Sequence, residues 1–451
     1  METGKKWFVF AMMVIVGAMV FSCQGEKNTA DGKVVLRYAN WNLGTAAENN
    51  LERRMLAAFM EAHPNITVEI DERISTSDWV GSLATTASVG NLPDVFMISD
   101  TPTKVANGWL LDITNIANDD PEFASLPASI RNMTRINGVT YTVPFAQFML
   151  GYYVNRTLFN ERNLNPPQFG VGIPQFMNLI RQVTDLNRPT IGLNAADQFV
   201  EWMPGATNPD IGFFTFDGTG YSLNSQAMLD AVRMAFELTS NGFTYSGLTD
   251  AQRGMWPGDS DIAVFRDGQM GMFFAGTWMN DDFSRTLSFD WDFIGVPGNR
   301  PVVALDIMGI ASTTEHPEEA YLLAKWMGFG SEGYLRRMAI AKQMGIEINS
   351  LPVTTDEQVL SVYWQNASVP GLIEAYRFLD SAMIDGNKFV PGHVQARYEG
   401  RTGIAAGGDD NANIWMVFNQ SINGNLNFAT FATIVNTVAN QAHRAALEAL
   451  R

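Results

Sequence analysis

The chain of 451 residues has one cysteine, four histidines and few charges for its length, and each scarcity excludes something. A single Cys cannot build a disulfide scaffold. The histidines, His63, His316, His393 and His443, form neither HExxH nor a close pair, which argues against a zinc site. His63 and His316 each precede a proline at an expected helix boundary. GxSxG, GxxxxGK[ST] and GxGxxG are all missing, so no nucleophile elbow or phosphate-cradling loop is signalled. Asp217-Gly218-Thr219-Gly220 and Asp409-Asp410-Asn411 lack the EF-hand spacing and read as turns. No cofactor or metal is expected. Lys and Arg number 30 against 47 acids, a formal charge of −17, so a nucleic-acid partner is disfavoured. An apolar fraction of 46% with 17% charged residues excludes wholesale disorder.

One apolar run stands out, residues 7–21 behind Lys5-Lys6. It is shorter than the roughly twenty residues of a membrane span. A basic start, a short apolar stretch and small residues at its end make residues 1–22 an export signal. Val20-Phe21-Ser22-Cys23 resembles the bacterial lipobox, with Phe21 and Ser22 departing from its commonest form. The resemblance implies lipidation of Cys23 and an envelope location at the periplasmic face of the membrane. Two acyl chains on one residue anchor stably. Residues 23–32 are polar and read as the tether.

From Val34 the pattern is β–α–β–α–β. VVLRYA is a β-branched strand. Leu51, Met55, Phe59 and Ala62 share a helical face within 47–62. Ile66, Val68 and Ile70 alternate, Ser77 is a candidate N-cap for the next helix, and DVFMI is a third strand. That order predicts a parallel sheet covered on both faces, with ligands at the carboxyl ends of its strands. The rule points at Asn40, Trp41 and Asn42, and at Ser99, Asp100 and Thr101. Farther on, short strands are expected at 140–143 and 151–154, a hairpin over 214–223, helices at Ile173–Val183 and after Pro317, and a long closing helix at 428–450.

Five passages in this order resemble the family 1 extracellular solute-binding proteins, the sugar-binding subunits of bacterial ABC importers: LRYANWNLG with FMEAHPNITVEI, LPDVFMISD, NGVTYTVPFAQFMLGYYVNRTLFNERNLNPP, FRDGQMGMFFAGTWM, and VALDIMGIASTTEHPEEAYLLAKWM. The resemblance implies an α/β fold of two lobes, the type II periplasmic-binding-protein architecture, each lobe a mostly parallel sheet flanked by helices. It implies several crossings at a hinge, near 144–148, 306–309 and 351–355. One lobe would hold 33–145 and 307–352, the other 146–306 and 353–451. It further implies a monomer that captures a sugar or oligosaccharide, a permease partner in the membrane, and no bond chemistry.

A sugar site needs flat rings for C–H faces and carboxylates or amides for hydroxyls. The chain has 11 Trp, several beside acids or amides. Trp41 and Asn42 follow the first strand, and Asp100 ends the third. Gln147 and Asp306 stand at crossings. Trp202 follows Glu201, and Trp278 falls on the family's GsW position. These seven are the candidate ligand contacts. Competing readings are the same fold on a non-sugar solute, a carbohydrate hydrolase with paired carboxylates, and a receptor partner that reports occupancy to a sensor.

Overall fold

The computed structural model describes residues 33–367 and 369–451. The signal, the tether and Cys23 therefore lie outside the described residues. The first three strands are β1 (Val34–Ala39), β2 (Ile66–Ile70) and β3 (Val95–Ile98), with Leu51–Ala62 and Trp79–Ser88 as the connecting helices. β1 pairs in parallel with both β2 and β3, which the intervening helical crossovers allow. Asn50 caps the first helix by accepting from the Arg53 amide, so the helix starts at Leu51, the first residue of its apolar face, and not at 47. Asp78, not Ser77, caps the second: its carboxylate accepts from the Gly81 amide.

β4 (Arg135–Ile136) and β5 (Val139–Thr140) form a small hairpin around Asn137 and Gly138, both at positive φ. Next comes β6 (Thr142–Asn155), one continuous strand where two were expected. Pro144 does not end it because it faces Ile307 beside a register shift that leaves Phe145 unpaired. A bulge is one of the few places where a strand tolerates a missing N–H. β7 (Ile191–Leu193), β8 (Met270–Gly276), β9 (Trp291–Phe293), β10 (Val302–Ile310) and β11 (Met383–Ile384) complete the main sheet, in the order β2-β1-β3-β10-β6-β8-β7 with β11 on β10 and β9 on β6. β12 (Arg401–Ala406) and β13 (Asp409–Asn413) make a separate hairpin. The hairpin expected over 214–223 is absent. Phe214 and Thr215 sit at positive φ, and the buried Phe214 ring packs against Tyr221 and Phe418 instead. Burial of a large ring overrides its strand propensity.

Two strands carry the chain between lobes. β6 starts beside β10 at Thr142 and ends beside β8 and β9 at Asn155, while β10 runs antiparallel back along it to β3. Strand directions follow. In the first lobe β1, β2 and β3 run with β6, and only β10 is reversed. In the second, β7, β8, β9 and β11 run with β10, and only β6 is reversed. Each lobe is thus a mostly parallel sheet with one reversed strand. Because β6 leaves the first lobe and β10 leaves the second, the carboxyl ends of the parallel strands in both lobes face the same gap.

A third passage lies at Leu351, whose N–H donates to the Gln147 carbonyl at 2.7 Å. The first lobe's core joins Leu36, Phe59, Phe96, Ile307 and Trp326. Two further cores flank the second lobe's sheet, one around Tyr152, Trp202 and Phe418 and one around Tyr153, Phe265 and Phe283. The helix Ser331–Met344, unforeseen in the sequence, braces the hinge: Arg337 pairs with Glu52, and the Tyr334 hydroxyl donates to the Ser350 carbonyl at 3.0 Å. Among the described residues, no helix is long and apolar enough to cross a membrane.

Candidate functional site

On the first-lobe side the gap begins where β1 ends. Asn40 is buried; its amide donates to the Tyr38 hydroxyl at 2.9 Å and its carbonyl oxygen accepts from the Asn42 N–H at 2.8 Å. This closes a tight turn that presents Trp41 half-buried. The Trp41 ring meets Trp79 edge to face, 5.2 Å between centroids at 74°. Trp79 in turn donates its indole N–H to the Met97 carbonyl, at 3.2 Å, near the end of β3. Two indoles thus rim the carboxyl end of the first sheet, in a geometry favoured by the ring quadrupole.

Alternation along β6 puts Ala146, Phe148, Leu150 and Tyr152 on one face. Asp306 pairs with Ala146 and Ala304 with Phe148, so Asp306 and Phe148 share that face. Trp278, just past β8, is 45% exposed and touches Phe148 edge to face, 5.8 Å between centroids at 71°. From the segment after β11, Lys388 pairs with Asp306 and places its ammonium over the Trp41 ring, 5.8 Å from the centroid. One side chain thereby links the hinge, the second lobe and the first-lobe indole.

Behind Lys388 lies a mostly buried polar layer. Arg397, in a single π-helical turn, pairs with buried Glu201, lies 4.0 Å from Asp385, and covers Tyr398 at 4.6 Å from guanidinium carbon to ring centroid. Burial pulls its guanidinium down to about 10, with Tyr398 and Asp197 nearby holding it up. Burial likewise raises the Asp385 and Asp197 carboxyls above their ordinary range; hydrogen bonds from Asn387 and the Lys388 charge oppose this at Asp385. Trp415 stacks obliquely on Tyr398 at 5.5 Å. Rings and carboxylates side by side can hold a polyhydroxylated solute by stacking and hydrogen bonding. Among the described residues, no cluster of three or more His, Cys, Asp or Glu side chains could hold a metal ion.

The seven sequence-predicted contacts separate. Trp41, Trp278 and Asp306 stand at the gap. Asn42 is exposed at its rim, its carbonyl accepting from the Asn50 amide at 2.9 Å. Asp100 caps the short helix Thr101–Ala106, accepting from the Thr103 amide and hydroxyl. Gln147 lies on the opposite face of β6 from Phe148 and Asp306; its carbonyl holds Leu351, and its buried side-chain nitrogen has no protein partner. Trp202 is a correction. It is wholly buried between Tyr152 and Phe199, its indole N–H donating to the Tyr152 hydroxyl at 3.2 Å. Trp79, Phe148, Lys388 and Tyr398 are further candidates that only the structure brings to the gap. Trp79 opens an apolar helix, whose pattern does not mark it as a contact, and the partners of Lys388 are far away in sequence.

The bacterial extracellular solute-binding protein family matches residues 54–368, well over half of the chain. The chain belongs to this family. Membership implies an exported protein. An uncharacterized ABC transporter extracellular-binding protein of Pyrococcus horikoshii is 24% identical to this solute-binding protein over 359 residues, 70% of this chain and 77% of the relative. Among solved structures, an ABC substrate-binding protein of Listeria monocytogenes in complex with cycloalternan superposes with a TM-score of 0.68 at 18% identity, covering 92% of this chain and 99% of that one. The cyclic alpha-maltosyl-1,6-maltose binding protein of Arthrobacter globiformis gives 0.66 at 18% identity, over 92% and 100%. At such identity the likeness establishes the two-lobe fold. The family and these neighbours are binding proteins rather than enzymes.

Proposed function

We propose that this protein is the substrate-binding component of an ABC importer and captures a sugar or oligosaccharide between its lobes by hinge closure, releasing it unchanged to a membrane permease. The observation that carries this reading is the convergence of all the parallel strands' carboxyl ends on one gap, rimmed by Trp41 and Trp79 on one side and by Phe148 and Trp278 on the other, with Asp306 at the hinge between them. Open α/β sheets bind ligands at such ends. Indole faces suit sugar C–H surfaces and carboxylates suit hydroxyls. The sugars bound by the Listeria and Arthrobacter neighbours support the same ligand class.

In this reading the lobes are 33–145 with 307–352, and 146–306 with 353–451. The bulge at Phe145, opposite the Asp306–Ile307 step, and the Leu351 passage absorb the rotation. The chain works as a monomer, held at the envelope by lipid on Cys23. A thermal-shift screen over neutral mono- and oligosaccharides tests it. At a hundredfold excess over Kd a bound sugar adds about 2.7 kcal/mol of stability. Sugar recovered intact supports capture, cleaved sugar supports a hydrolase, and no shift with any sugar rejects the ligand class.

A further inference from the structure

Lys388 is held in place by its own loop. The Asp385 N–H donates to the Val303 carbonyl at 2.8 Å, and the Asp385 carboxylate accepts from the Asn387 N–H and side-chain amide, each at 3.1 Å. Gly386 packs so close to His393 that a Cβ would lie 2.8 Å from the ring nitrogen. The Lys388 side chain leaves this fixed turn, pairs with Asp306 and ends over the Trp41 face. Both members of the pair are mostly sheltered, at 22% and 12% side-chain exposure.

A sugar ring stacked on an indole has its nearest atoms about 4 Å from the face. A ring there fills the space in which the Lys388 ammonium sits, 5.8 Å from the Trp41 centroid. The sugar hydroxyls would also look for the Asp306 carboxylate that Lys388 holds. Resting on the function proposed above, we propose that Lys388 is an intramolecular competitor for the Trp41–Asp306 subsite, which a neutral sugar must displace. One displacement frees both the ring and the acceptor. An acidic sugar gains nothing equivalent: it pairs with Lys388 but meets the unshielded Asp306.

The first test uses no sugar. The 11 tryptophans are labelled with 5-fluorotryptophan, and the Trp41 fluorine line is assigned from Trp41→Phe. Lys388→Met and Asp306→Asn should each move that line, as should added NaCl in the wild type, while Lys388→Arg keeps it near its original position. An unmoved Trp41 line in both Lys388→Met and Asp306→Asn overturns the competitor. The second test titrates maltotetraose calorimetrically. Lys388→Met should bind it roughly tenfold more tightly, since a cation–π contact and a partly sheltered ion pair together hold about 1.4 kcal/mol. Wild-type affinity should rise with NaCl and the variant's should not. Weaker binding by Lys388→Met overturns the proposal, because Lys388 would then be a donor to the sugar. Maltotetraose ignored by both proteins, with the fluorine shifts present, upholds the competitor and counts against the sugar reading for this probe.

Discussion

Replacing Arg337 by Met should destabilise the first lobe by about 3–5 kcal/mol, the usual result of stranding a buried charge. Arg337 and Glu52 keep only 7% and 10% of their side-chain surface in water. The guanidinium grips both carboxylate oxygens, donates to the Met327 carbonyl at 2.9 Å, and lies 5.5 Å from the centre of the Phe145 ring. The pair therefore fastens the helix Leu51–Ala62 to the helix Ser331–Met344 beside the hinge bulge. Among the described residues Glu52 forms no other ion pair, so its carboxylate would be left desolvated and unpaired. The double change Glu52→Leu with Arg337→Met removes both charges, and an apolar pair of similar volume is often neutral or better. It should recover most of the loss. Urea unfolding followed by circular dichroism and tryptophan emission gives the four corners of the cycle, provided the two signals report one transition. A single-variant loss below about 1 kcal/mol, or a double variant as unstable as the sum of the singles, would refute the claim that stranded charge sets the penalty.

Trp278→Ala should abolish sugar-induced thermal shifts yet move the melting temperature little, because the ring is half exposed; a full shift in that variant would remove Trp278 from the site. Trp202→Ala should instead cost about 3–5 kcal/mol, as emptying a packed indole pocket does, read from the urea midpoint. Burial, with His443 adding to it, drives the His393 imidazole down to about 3. The unfolded chain, titrating near 6.5, then binds a proton that the folded chain refuses. This contribution is complete above about pH 6.5 and shrinks by about 1.4 kcal/mol per unit as pH falls toward 3. Urea midpoints at pH 7 and pH 5 should show this slope in the wild type and lose it in His393→Leu; equal slopes would count against it. Gly328→Ala puts a Cβ 2.1 Å from the Pro144 carbonyl oxygen, beside the bulge. Backbone must move, so about 1–3 kcal/mol should be lost, and small-angle scattering should show altered closure on adding sugar.

Much of the first lobe was legible because its signals are local. The strands and helices from Val34 to Ile98 announce themselves by period or β-branched run, and the carboxyl-end rule then points at Trp41 and its neighbours without any tertiary knowledge. The errors came where a distant partner changed the meaning of a residue. Glu201 made its neighbour Trp202 look solvent-facing, yet Glu201 is satisfied by Arg397, 196 positions away. Lys388 gave no sign in sequence because Asp306, its partner, lies 82 positions earlier. Pro144 read as the end of a strand because its tolerance depends on the bulge opposite Ile307.

The long strands explain why the candidate contacts could be approached at all. A chain that crosses by two long paired strands supplies each lobe with one strand running against the rest, β10 in the first and β6 in the second. Whichever way the connecting helices pack, the remaining strands of each lobe then end at the opening. Residues at those ends are brought face to face by connectivity, and only their side-chain direction is left to local twist and bulge. This is why Trp41 and Trp278, 237 positions apart, lie on the same gap, while Gln147, one residue from Phe148, points away from it.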